Sequence, residues 1–216
     1  MKILKSFLLP LCVVLTVSVS TLGTLAYLTS QDTVVNTFAV GKVAITLDET
    51  KVTPDGQPVV GADRVKENVY HLVPGMTYTK DPTVTVAKGS EKAYVRMLVT
   101  VNCYDALTDI FGEPFLPQHF VSGWDSNVWV STEVIDVDTD TATYEFRYQG
   151  TVSPPANHDL VLDALFDSIT VPDTLDGDDL ESLADLKITV IGHAIQAVGF
   201  NDEEAAWAAF DEQING

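Results

Sequence analysis

The sequence contains few cysteines and few basic residues, and each shortage excludes a class of protein. Of the two cysteines in 216 residues, Cys12 lies in an apolar N-terminal run, so Cys103 is the one thiol in the remainder. A lone thiol can neither form an internal disulfide nor supply a four-cysteine zinc site. An apolar core must therefore hold the fold, and a hydrophobic content of 46 % is sufficient for one. Cys103 is expected to be a small buried apolar residue of that core.

Basic residues number 12 against 31 acidic residues. Lys2 and Lys5 precede the apolar run, so residues 27–216 keep 10 basic and all 31 acidic residues, a formal charge of −21 (10 minus 31). Nucleic acid and anionic lipid would be repelled by such a surface. The charge favours solubility, association with cations, or a surface that does not adhere indiscriminately. We therefore expect no nucleic-acid partner, and membrane contact only through an uncleaved leader.

Local catalytic and metal-binding motifs are missing as well. The sequence has no H-E-x-x-H, no G-x-S-x-G and no glycine-rich phosphate loop. The acidic run 136–140 begins like a calcium loop, but Thr141 replaces the required glycine and Arg147 the bidentate glutamate. The run 176–179 also lacks the full spacing, so both are expected to be solvated turns. We expect no enzyme activity and no cofactor; weak Ca²⁺ association and a metal site assembled from distant loops stay open.

The N-terminus has the layout of a secretory signal peptide. The two lysines form a basic start, and residues 7–25 are apolar but interrupted by proline, serine and glycine. The small residues Thr24 and Ala26 precede Tyr27 and fit a cleavage site. The prediction is a leader at 1–26 and one secreted domain at 27–216. The alternatives are cleavage after Ser20 and an uncleaved N-terminal anchor.

Hydrophobic alternation predicts about eight short strands separated by turns, and hence an all-β fold, an antiparallel β-sandwich. Two hairpins are expected, one joining 83–87 to 93–104 and one joining 127–137 to 141–149. The run 186–198 is almost continuously apolar, which predicts a central strand buried on both faces. The segment 106–126 is rich in proline and glycine and is expected to be irregular. A short C-terminal α-helix is predicted, capped by Asn201 and carrying an apolar stripe of Trp207, Phe210 and Ile214.

The run from Ala26, AYLTSQDTVVNTFAVGKVAITLDE, resembles the start of the TasA/camelysin family of Gram-positive bacteria. In that family a small-residue site cut by a SipW-type signal peptidase is followed by N-x-F-x-x-G, here Asn36, Phe38 and Gly41. Weaker similarity continues at 72–82, 194–197 and 206–207, so that about half of the chain is covered. The resemblance implies a jelly-roll-like sandwich. It also implies that the segment 27–40 assembles fibres by strand exchange, with candidate residues Val34, Val35, Asn36, Thr37, Phe38 and Gly41.

The leading hypothesis is a structural protein of the cell surface or the biofilm matrix, which associates with itself and with other matrix or cell-wall components. An equally weighted interpretation of 27–40 is an ordinary first strand or a frayed terminus of a monomer. Two other functions stay open. One is a camelysin-type metal-dependent peptidase, for which the histidines are the candidate ligands. The other is an adhesin or carbohydrate-binding module, whose stacking surface would be formed by Tyr104, Trp124 and Trp129.

Overall fold

The computed structural model describes residues 29–33, 36–39, 43–138 and 140–215. Those residues contain twelve strands: β1 (Thr29–Thr33), β2 (Asn36–Ala39), β3 (Ile45–Asp48), β4 (Thr77–Thr79), β5 (Thr83–Val86), β6 (Ala93–Asn102), β7 (Val121–Ser122), β8 (Trp129–Asp138), β9 (Thr141–Tyr148), β10 (Leu160–Val161), β11 (Ser168–Thr170) and β12 (Ile188–Gln196). The helices are α1 (Tyr104–Phe111), α2 (Gly177–Ser182) and α3 (Glu203–Asn215), with a 3₁₀ turn at Pro117–His119. None of the helices in this part of the chain is both long and apolar enough to span a bilayer.

The strands form three antiparallel sheets. The largest has the order β2-β1-β12-β6-β9-β8, and the two smaller ones are β10-β5-β3 and β4-β11-β7. Within the large sheet, β6 pairs with all nine residues of β12, whereas β1 pairs with only four of them. The prediction of an antiparallel, mostly β fold with a C-terminal helix is confirmed. The central position of the last strand is confirmed as well, but burial on both faces does not hold for its first half, where Ile188, Thr189 and Ile191 are half-buried. The hairpin formed by β8 and β9 is also confirmed.

One core joins the large sheet to the smaller ones. Alternate side chains of β6 point into it, as the strand period of two requires; these are Val95, Met97, Val99 and Val101, all buried. Opposite them lie the buried side chains of β3 and β5. Gly192 of β12 faces this layer, where a Cβ atom would stand 3.4 Å from both Ile45 Cδ1 and Val84 Cγ2. The absence of a side chain at this position lets the two sheets approach closely.

The hairpin expected between 83–87 and 93–104 is wrong. β5 pairs with β3 and β10, while β6 pairs with β12 and β9, so the two strands belong to different sheets. Both place apolar side chains in the same core, but from opposite sides. The turn at 88–91 therefore carries the chain across the core to the other sheet. Alternation alone cannot distinguish this connection from a hairpin.

Two helix predictions also need correction. The segment 106–126 is not wholly irregular, because α1 begins at Tyr104 and ends before Gly112, whose φ of 93° suits glycine. At the N-terminus of α3 the capping residue is Asp202 instead of Asn201: its carboxylate accepts a 2.8 Å hydrogen bond from the Ala205 N–H. On the apolar stripe of α3, Trp207 and Phe210 are buried as predicted, but Ile214 is 45 % exposed.

Helix α3 covers the outer face of the large sheet, and Arg96 attaches it there. The Arg96 guanidinium lies 4.4 Å from the ring centroid of Trp207 and forms an ion pair with Asp211 of the same helix. It also donates a 3.2 Å hydrogen bond to Glu145 of β9. Arg96 is only 4 % exposed, so these partners compensate a charge that would be costly to bury alone.

His193 of β12 lies beside Arg96 under the same helix. Its Nδ1 accepts a 3.2 Å hydrogen bond from Arg96 Nε, while its buried Nε2 has no hydrogen-bond partner in the described structure. The ring packs 4.7 Å from that of Phe210. Burial, reinforced by the Arg96 charge, lowers the pKa of His193 to about 3. The imidazole is therefore neutral in the folded protein at every ordinary pH.

This environment predicts an acid-dependent loss of stability. In the unfolded chain the histidine pKa is near its ordinary 6.5, so the unfolded state binds the extra proton and stability falls as the pH drops from about 6.5 towards 3. Between pH 7 and pH 5 the contribution is about 2 kcal/mol. In H193Q the free energy of unfolding should not change with pH over this range, as measured by urea unfolding at each pH. An unchanged slope in H193Q would contradict the assignment.

Candidate functional site

A cavity of about 910 Å³ opens beside the first half of β12. Its walls are the start of β12, the end of β3, helix α2 and the loop 65–72. Five apolar side chains in these walls are half-buried and pack against the core without being enclosed by it: Tyr70, Leu72, Leu180, Leu186 and Ile188. Lys66 and Lys187 also line the cavity, although basic residues are scarce in this chain. The cavity is thus apolar with a polar rim, as ligand and peptide sites commonly are.

The loop 65–72 is held in place at both ends. At its start, the backbones of Val65 and Glu49 exchange two 2.8 Å hydrogen bonds. At its end, the buried Tyr78 hydroxyl donates to the carbonyl of His71 at 2.6 Å and accepts from the Val73 N–H at 2.7 Å. Both ends of this wall of the cavity are therefore fixed, because their backbone polar groups form hydrogen bonds with other elements.

A buried ion pair forms the floor of the cavity. Lys80 Nζ lies 2.7 Å from Glu49 Oε2, and both side chains are 8 % exposed. Asn68 donates to the other carboxylate oxygen of Glu49 at 2.9 Å and to the Thr50 carbonyl at 2.8 Å. Burial, reinforced by the Glu49 charge, raises the pKa of the Tyr70 hydroxyl above its ordinary value. The tyrosine is thus a neutral hydrogen-bond donor, and it donates to the Thr79 carbonyl at 3.1 Å.

The edge of β12 beside the cavity is only half covered. β1 pairs with Gly192–Ile195, and on its other side it pairs with β2, where Thr33 lies opposite Asn36. Among the described residues, no strand pairs with the same edge of Ile188–Ile191. These four residues line the cavity. Within the described residues, this nine-residue central strand therefore has one paired and one unpaired half on this side.

Part of the predicted strand-exchange segment lies on this side of the large sheet. Asn36, Thr37 and Phe38 are in β2, which pairs with β1 as the outermost strand of the large sheet. Val34, Val35 and Gly41 lie outside the described residues, as do the cleavage-site residues Thr24, Ala26 and Tyr27. The structure thus brings part of the N-terminal segment next to the open edge, although no sequence pattern pointed to the cavity itself.

The other predicted sites do not converge. His71 and His158 are exposed on separate loops, His119 is exposed at the end of the 3₁₀ turn, and His193 is buried under α3. No group of three potential ligands is arranged to hold a metal ion in the part of the chain that the structure describes. In the second acidic run, 176–179, the Asp176 carboxylate caps α2, because it accepts hydrogen bonds from the Asp178 and Asp179 N–H groups.

Two further residue predictions concern the aromatic side chains and the thiol. Tyr104 and Trp129 are buried, and Trp124 is half-buried with its indole N–H donating to the Trp129 carbonyl. The three do not form an exposed stacking surface. Cys103 is half-buried and has a φ of 54° where β6 passes into α1, so it lies at the border of the core instead of within it. Burial raises the pKa of its thiol.

Comparisons with protein-family models, curated proteins and solved structures gave no match to this chain.

The buried ion pair at the cavity floor gives a stability prediction. K80M leaves the Glu49 carboxylate buried without its cation, and it should lower the free energy of unfolding by about 3–5 kcal/mol. Adding E49Q removes the buried, unpaired charge while keeping an acceptor for Asn68. The double variant should therefore regain most of the lost stability. Urea unfolding measures both variants. A loss below about 1 kcal/mol in K80M would contradict the assigned burial.

Proposed function

We propose that this chain is an exported structural protein of the cell surface or extracellular matrix, and that copies of it associate through their N-terminal segments by strand addition. The observation that carries the proposal is the edge of β12, which the described strands cover along only half of its length: β1 lies beside it, and β2 lies beyond β1. A strand with free main-chain donors and acceptors is the usual acceptor for strand addition, in which backbone hydrogen bonds supply affinity.

Sequence features support the same function. The leader with Thr24 and Ala26 before Tyr27 favours export, and the N-x-F-x-x-G run at Asn36, Phe38 and Gly41 resembles the TasA/camelysin family. A charge of −21 suits a secreted protein that must stay soluble until it assembles. Matrix or cell-wall components are the expected further partners.

The proposal includes a finer description of the fold. We infer that the sheets make a jelly-roll-like β-sandwich of one domain at 27–216. Support comes from the single core shared by the large sheet and the β10-β5-β3 sheet, with Gly192 at their closest approach. Two antiparallel sheets facing each other across one apolar layer are the basis of sandwich folds.

Deletion of the N-terminal segment tests assembly. Removing residues 27–36 from the mature chain should abolish fibres in electron micrographs, because the exchanged strand is lost. A matched control replaces the same ten residues with a Gly-Ser sequence of equal length, which should also prevent fibres. Both variants should remain folded monomers by circular dichroism and sedimentation. Fibres of unchanged length and number in the deletion variant would contradict the proposal.

A further inference from the structure

We propose that the C-terminal helix α3 is an acid-released latch, which detaches from the outer face of the large sheet in mild acid while the sheets stay folded. The latch consists of the connection 197–202 and α3 (Glu203–Asn215). The inference goes beyond the proposed function, because it concerns the outer face of the sheet and a conformational change within a single copy.

The apolar contacts of α3 are separate from the core that joins the sheets. Three side chains of the helix are buried with Ile195 of β12 in a small cluster of their own: Ala206, Trp207 and Phe210. In the described part of the chain, the larger cluster between the sheets contains none of these side chains. Detaching α3 would therefore open the small cluster and leave the contacts between the sheets intact. A segment packed in this way can open at a lower free energy than the whole protein.

The polar contacts of α3 pair acids of the helix with bases of the sheet. On the outer face, three neighbouring strands carry a basic residue in the same row: His193 of β12, Arg96 of β6 and Arg147 of β9. Arg96 forms an ion pair with Asp211, and Arg147 Nη1 lies 3.1 Å from Glu204 Oε1. The two helix carboxylates are 48 % and 77 % exposed. Ion pairs so open to solvent contribute little free energy, so they orient the helix without holding it tightly.

The two arginines keep a partner when the helix leaves. Glu145 of β9 forms ion pairs with both Arg96 and Arg147, and the first of these spans 3.2 Å. Glu145 belongs to the sheet, so these contacts do not depend on α3. Release of the helix therefore leaves no buried charge unpaired, a cost that would otherwise oppose it.

His193 makes the contact between helix and sheet sensitive to acid. Its Nδ1 accepts the 3.2 Å hydrogen bond from Arg96 Nε, so its one proton lies on Nε2. That nitrogen is buried and has no hydrogen-bond partner among the described residues. A second proton, on Nδ1, would break the bond to Arg96 and place two cations side by side in a buried site.

The groups that face His193 keep it neutral while α3 is docked. They are Arg96 from β6, Asp211 and the Phe210 ring from α3, and the uncharged Gln31, which β1 places opposite it. Burial, followed by the Arg96 charge, lowers the pKa of His193 to about 3, and the Asp211 charge acts in the opposite direction. When the helix leaves, water reaches the ring, so the released state binds a proton that the docked state excludes. Docking therefore weakens as the pH falls from about 6.5 towards 3.

Amide hydrogen exchange at pH 7 and pH 5 tests the latch in the full mature chain. Exchange is expressed as protection factors, which correct for the intrinsic effect of pH on the exchange rate. At both pH values the amides of α3 should exchange together, with protection factors at least about tenfold below those of β6. Between pH 7 and pH 5 the protection of α3 should fall roughly tenfold, because release of the helix allows His193 to bind a proton.

The first variant is H193Q, in which glutamine keeps an acceptor for Arg96 but does not titrate. The protection of its α3 should change less than about twofold between the two pH values. The second variant, W207A, removes the largest apolar contact of the helix without touching the core between the sheets. Its α3 should lose protection at pH 7 while β6 stays protected, and NMR should show His193 titrating between about pH 5 and pH 7. The matched control is E212A, on the exposed side of the same helix, which should exchange like the native chain.

The inference is overturned if α3 and β6 have equal protection at both pH values, because the helix would then open only with the whole molecule. It is also overturned if H193Q shows the same loss of protection in acid as the native chain. If W207A does not fold, exchange in the native chain and in H193Q decides the test. None of these measurements depends on fibres, so their result is independent of the proposed function.

Discussion

The requirement that every backbone N–H and C=O of a buried strand finds a partner governs this molecule. Among the described residues, β12 finds partners along its whole length on one side, where β6 pairs with all nine residues, but along only four residues on the other. The unmet half lies beside a cavity whose walls are half-buried and apolar. This strand therefore links the fold to the proposed function, since the groups with which no described strand pairs are those that strand addition would use.

Polar contacts hold helix α3 against the outer face of the sheet that contains β12. Arg96 of β6 lies directly opposite His193 of β12. Arg96 also holds α3 in place through contacts with Trp207 and Asp211. Burying a guanidinium is tolerated because carboxylates and aromatic rings surround it. The result is a sheet whose outer face is covered by the C-terminal helix, while no described strand pairs with its edge at Ile188–Ile191. Within the described residues, the fold thus separates a stabilised face from an edge without a pairing strand.

Particular residues show what the sequence predicted and what it did not. The alternation of 93–102, the turn between β8 and β9, and the apolar run of β12 predicted those elements correctly, because strand period and burial are local properties. Helix α1 was missed although Tyr104, Leu107 and Phe111 have helical spacing and Gly112 follows them. The prolines just beyond had suggested an irregular segment. The crossing from β5 to β6 and the cavity depend on contacts between distant segments, such as Glu49 with Lys80, and no local pattern encodes such contacts.

Amide hydrogen exchange at single-residue resolution tests the half-covered strand most directly. In the monomeric mature chain, the amides of Ile188 and Val190 should exchange at least about 100-fold faster than those of Thr189 and Ile191, which donate to β6. On assembly, the two fast amides should become as protected as their neighbours. Equal protection of all four amides in the monomer would contradict the account, because it would mean that the edge of β12 is already closed.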